Sequence, residues 1–188
     1  MDGLRPKSRP PQFRHRMFAA ECSVGRLVEA WALRFDSVSD VAMFGMQAAL
    51  AIAKARGNIV ICSDYSNLQA LPSDVFPAFV EVLRRANPRL ERAALVMPRK
   101  GTSLRHQMEA LLRQATHPNR RLCADSAEAR AWLSSLLNRE EQVRLDQFLR
   151  ERALVSPVVP LRSTFSNLGR PASYPPTSRQ GQGVKPQR

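Results

Sequence analysis

The residues best suited to hold an anion lie in the run Pro98-Arg99-Lys100-Gly101-Thr102-Ser103. Two cations precede a glycine and two hydroxyl residues where a helix is expected to start, so free N–H groups and the helix dipole would favour a phosphate there. The leading glycine and the Gly-Lys-Thr order of a Walker A loop are missing. A solvated basic turn capped by Thr102 or Ser103 accounts for the same residues. A second group, Asp64-Tyr65-Ser66, closes the apolar run Ile59-Val60-Ile61-Cys62. Asp64 suits either a ligand or switch role or an Asx turn that accepts loop N–H bonds. Tyr65 either presents its ring to a partner or closes the edge of the core. Catalytic chemistry is poorly served. Cys62 lies inside an apolar strand, where burial hides a thiol and raises its pKa, and neither His106 nor His117 is placed to activate it. No paired carboxylates and no metal-ligand spacing stand out, so the expectation is a protein that is not an enzyme and carries no cofactor.

A net charge of +13 suggests a polyanion partner until it is divided along the chain. Residues 1–16 and 155–188 carry +4 and +5, against +4 for the whole of 17–154. Basic arms on a nearly ordinary domain are expected, the C-terminal one rich in Pro, Ser and Gln and disordered. An acidic partner could be held by those arms or by the run of arginines between Arg84 and Arg121. Few aromatics accompany these cations, which argues against nucleic acid as the partner. Three cysteines without metal-type spacing fit buried thiols in a reducing compartment. No apolar stretch reaches the roughly 20 residues of a membrane span, and no secretory signal is visible. A soluble, cytoplasmic protein is the expectation.

The elements that must position these groups are legible in the hydrophobic pattern. Residues 17–22 and 27–35 read as a hairpin around Gly25, with Leu27, Glu29, Trp31, Leu33 and Phe35 on one face. Ser39 is expected to cap a helix ending before Gly57, and a buried strand follows over 58–63. A helix over about 74–86, a strand at 93–97, a helix from 103, a short strand at 121–124 and a helix after Asp125 complete the alternation. An additional helix over about 139–153 carries Val143, Phe148 and Leu149. The order β-β-α-β-α-β-α-β-α plus one helix predicts an α/β fold with a mainly parallel sheet of about five strands.

That order, with a strand ending in Asp64 before a helix near 74, resembles the STAS domain of sulfate transporters and anti-sigma-factor antagonists. The resemblance covers residues 17–137, leaving 138–154 as an additional helix between that domain and the tail. It implies a regulatory module that binds another protein, a regulator or kinase-like partner. Regulatory members carry an Asp-Ser-Ser-Gly-like stretch whose hydroxyl is phosphorylated; here Leu71-Pro72-Ser73-Asp74-Val75 takes its place, without the glycine. Ser73 is then either a switch or an N-cap serine. The resemblance places recognition on the edge from Asp64 to Asp74 and on the exposed side of the following helix, at Glu81, Arg84 and Arg85. The alternatives from the residues themselves are a domain binding a small anion, nucleotide or lipid headgroup through Arg99 to Ser103, and a scaffold working through its basic tails.

Overall fold

The computed structural model describes residues 16–97 and 103–154. Its strands are β1 (Phe18–Val24), β2 (Leu27–Ala32), β3 (Ile59–Asp64), β4 (Leu90–Val96) and β5 (Arg120–Cys123). They form one sheet in chain order, β1 antiparallel to β2 and the rest parallel. The helices are α1 (Val38–Lys54), α2 (Val75–Ala86), α3 (Ser103–Ala115), α4 (Ser126–Leu133) and α5 (Arg139–Ala153).

Chain order across the sheet has a geometric consequence. Each of α1, α2 and α3 connects two neighbouring parallel strands, and right-handed crossovers made in one direction put every connecting helix on the same face. The packing shows this. Val41 and Phe44 of α1, Val75, Phe79 and Val80 of α2, and Leu104, Met108 and Leu111 of α3 share one core with Val28, Ile59, Ala93 and Leu95. The opposite face is covered by α4 and α5, which bury Ala129, Leu133, Leu145, Phe148 and Leu149 against Leu27, Val60, Cys62, Ala94 and Cys123. The two-residue period of the strands sorts neighbours between these cores: Ile59 and Ile61 face α1 and α2, Val60 and Cys62 face α4 and α5. The helix over 139–153 is thus part of the same folded unit, and its inward residues are Leu145, Phe148 and Leu149, with Val143 60% exposed.

Local chemistry moves several boundaries. Ser37, not Ser39, caps α1: it sits in extended backbone, and its hydroxyl accepts the Asp40 N–H while the Asp40 carboxylate accepts the Ser37 N–H. This is a reciprocal capping box. At the other end Arg89 substitutes for a glycine cap, donating to the carbonyls of Ile52 at 2.6 Å and Ala55 at 2.8 Å. Strand β4 starts at Leu90, ahead of the expected Ala93, because Glu91 is accommodated by a register shift opposite Ile59 and Val60. Phe35 leaves the β2 face altogether, stacking on Phe18 and packing edge-on to Phe44 and tilted against Phe79 beneath α1 and α2.

Candidate functional site

Asp64 ends β3 on the α5 side of the sheet and is 4% exposed. One carboxylate oxygen accepts the Ser66 N–H at 3.1 Å, and the other accepts from Arg152 Nε at 3.0 Å. Arg152 in turn lies 4.5 Å over the Trp31 ring. Asp64 therefore makes the Asx turn and anchors the end of α5. Tyr65 points into the other core, 1% exposed and edge-on to Phe79, and burial pushes its hydroxyl up to about 12. Neither side chain is offered to a partner in this state, and Ser66 is half-buried. The strand order also gives this edge no switch point. Ligands collect beyond strand ends where the order of an α/β sheet reverses and two loops splay apart; here the order never reverses.

The segment from Ser66 to Asp74 is pinned from both sides. Leu68 and Leu71 are buried, the Gln69 N–H donates to the Leu33 carbonyl at 2.9 Å, and the Gln107 amide brackets the Leu71 backbone with two 3.0 Å bonds. Ser73 and Asp74 stay exposed. Ser73 is not an N-cap. Asp74 occupies that position in helical backbone without a side-chain bond, and the Val75 and Phe76 N–H groups donate to the Pro72 carbonyl. Pro77 has no N–H to leave free. The start of α2 thus holds few open donors for a phosphate on Ser73. Ser73→Ala is expected to change the unfolding free energy by less than about 0.5 kcal/mol, as for an exposed uncapped site. A loss near 1 kcal/mol in urea titration would restore the capping role.

On the outer side of α2, Glu81, Arg84 and Arg85 are exposed. Arg84 bonds Glu81 at 2.7 Å and the Gln114 carbonyl at 3.0 and 3.1 Å, which fixes it to α3. Of the anion-binding candidates, Arg99, Lys100, Gly101 and Thr102 lie outside the described residues, and Ser103 is the exposed first residue of α3. Among the described residues, most arginines between Arg84 and Arg121 hold the fold. Besides Arg89, Arg92 bonds the Trp132 carbonyl at 2.6 Å and stacks on its ring. Arg120 is 9% exposed and donates to the Leu83 carbonyl at 2.6 Å and Asn87 Oδ1 at 2.7 Å, with Nε unpaired. Burial lowers its pKa to about 10.

Cys62 belongs to the core under α4 and α5, whereas His106 is exposed on α3, across the sheet. A Cys62–His106 pair is ruled out by that placement. Burial raises the thiols of Cys62 and Cys123. Among the described residues no group of three His, Cys, Asp or Glu side chains could hold a metal, and no helix is long and apolar enough to cross a membrane.

The surface that the sequence reading passed over is the outer side of α1. Val38, Met43, Met46 and Leu50 are 45%, 44%, 64% and 65% exposed, and Ala42, Ala49 and Ala53 are exposed beside them. The signal was available: from Val41 to Ala53 the helix has no charged residue, and Gln47 is its only polar side chain. A helix apolar all round is normally buried on all sides. Between α1 and β1 runs a groove of about 640 Å³ lined by Phe18, Met43, Gln47 and Leu50, with Arg16, Glu21, Asp40 and Lys54 at its margins.

Comparison of the chain with protein-family models, with curated proteins and with solved structures gives no match.

Proposed function

We propose that this chain is a non-enzymatic regulatory module that acts by protein–protein recognition, in the manner of a STAS-like signalling domain. The observation that carries the reading is the exposed apolar side of α1, since contiguous apolar surface on a folded domain marks an interaction site. The helical layer continues onto α2, where Glu81 and Arg85 add a charged border. The likeness to STAS domains is supported by a hairpin followed by three β–α crossovers in chain order. It also bears on where recognition occurs. Asp64 and Tyr65 serve the interior, which favours the outer faces of α1 and α2 as the contact in this reading, with Ser73 and Asp74 at their edge.

Affinity capture with the full chain tests this against two variants, Met46→Asp/Leu50→Asp on α1 and Arg84→Glu/Arg85→Glu on α2. Circular dichroism and thermal unfolding must first show each variant folded. At least one heterologous protein is expected to be lost with a helix-face variant and kept by Ser103→Ala. An unchanged set of captured proteins would overturn the proposal.

A further inference from the structure

Asp40, Met43, Gln47, Leu50 and Lys54 follow one another along α1 at the alternating steps of a heptad seam. All five line the groove beside β1. The seam is nearly symmetric about its centre: Asp40 and Lys54 lie one heptad to either side of Gln47, with the apolar Met43 four residues before it and Leu50 three after. A parallel stripe of Ala42, Met46, Ala49 and Ala53 is exposed next to it, and its alanines let another helix approach to the near end of the about 8–10 Å packing range.

We infer that a second copy of this chain covers this face, its α1 running antiparallel to the first about a two-fold axis near Gln47. The inference rests on the recognition reading for the character of the surface and names its occupant. In the pair, Asp40 of each copy faces Lys54 of the other, Met43 meets Leu50, and the two Gln47 amides meet at the axis. An isologous contact requires a patch complementary to itself under rotation, and this seam has acid at one end, base at the other and apolar residues between. Strand addition at the open edge of β1 is a poorer use of the same region. Its register slips between Glu21 and Val24, and Glu21 pairs with Arg16 beside it, features that guard an edge against pairing. A contact confined to one face of a single helix is smaller than the standard interface of roughly 800 Å² per partner, so the dimer is expected to form and dissociate reversibly.

Sedimentation velocity of the full chain over a concentration series should show monomer and dimer in exchange. Lys54→Glu is expected to raise the dissociation constant about tenfold, because each dimer holds the charge pair twice. The geometry is read by cross-linking in a Cys22→Ser background, where the two remaining cysteines, Cys62 and Cys123, are buried. Gln47→Cys should oxidise to a covalent dimer on its own. Met43→Cys and Leu50→Cys should cross-link when mixed and not separately. A chain that stays monomeric throughout overturns the inference, as does a dimer indifferent to Lys54→Glu in which Met43→Cys links to itself. A monomer that still loses a heterologous protein on Leu50→Asp would sink the self-pairing and leave the recognition proposal standing. A dimer whose α1 and α2 variants change no captured protein would do the reverse.

Discussion

Arg144→Ala is expected to lower the unfolding free energy by about 3–5 kcal/mol, the cost of stranding one member of a buried ion pair. Arg144 reaches from α5 to Glu29 on β2, donating Nε at 2.7 Å and Nη2 at 2.5 Å to the two carboxylate oxygens. Glu29 is only 4% exposed. Burial pushes its carboxyl above the ordinary value, and the Arg144 fork opposes that push. Without the fork only the upward push remains, and Glu29 folds most readily as the neutral acid. A group whose pKa is raised by folding gives stability that is complete below its unfolded value and lost as pH rises through its folded value. The deficit of Arg144→Ala should therefore be widest at neutral pH and shrink as pH falls toward the ordinary carboxylate value of 4.5. Urea unfolding of both proteins across that range makes the comparison. Glu29→Met/Arg144→Leu should recover most of the loss, because paired apolar residues remove the stranded charge. A deficit under about 1 kcal/mol, or one that widens in acid, would mean that the Glu29–Arg144 pair adds little to the hold on α5 exerted by its apolar residues, Arg152–Asp64 and Glu141.

That pair also shows where the sequence stops being readable. The placement of Glu29 on the Leu27–Trp31 face was legible from the alternation of β2, because a strand's period assigns faces without knowledge of what covers them. What covers this face was not, since Arg144 is 115 residues away and α5 has the pattern of a largely charged helix. Asp64 is a similar case: its position at the end of β3 and its Asx turn were legible, but its partner Arg152 lies 88 residues further on. Whether the sheet has a switch point beyond β3 depends on strand order, which helix–strand alternation alone does not determine. The α1 surface is the opposite case. Its lack of charge was visible in the sequence, yet the apolar residues on its inner and outer sides are equally hydrophobic, and only packing shows that Val41 and Phe44 are buried and Met46 and Leu50 are not.

Gly25→Ala is expected to cost about 3 kcal/mol or more, and Gly57→Ala only about 1–2 kcal/mol, although both glycines have positive φ, +54° and +69°. The backbone strain of an L-residue is common to both. The difference lies in what the new methyl group meets. At Gly57 there is nothing within 4 Å, whereas at Gly25 a Cβ would sit 2.1 Å from Glu141 Oε1 and 2.9 Å from its Cδ. Glu141 cannot simply swing aside. It is 3% exposed, its Oε1 accepts the Arg26 N–H at 2.8 Å, and its Oε2 accepts the Asn138 N–H at 2.9 Å as the reciprocal half of the α5 capping box. Moving the carboxylate leaves both donors without a partner, at about 1–3 kcal/mol for each buried one. The hairpin turn is thereby keyed to the first turn of α5, and the two should behave as one unit in a double-mutant cycle. Glu141→Ala should cost markedly less in the Gly25→Ala background than in the wild type, because the bonds it removes are already broken. Chemical denaturation of the four proteins gives the coupling directly. Equal losses for Gly25→Ala and Gly57→Ala, or strictly additive ones in the cycle, would mean that the turn yields independently of the first turn of α5.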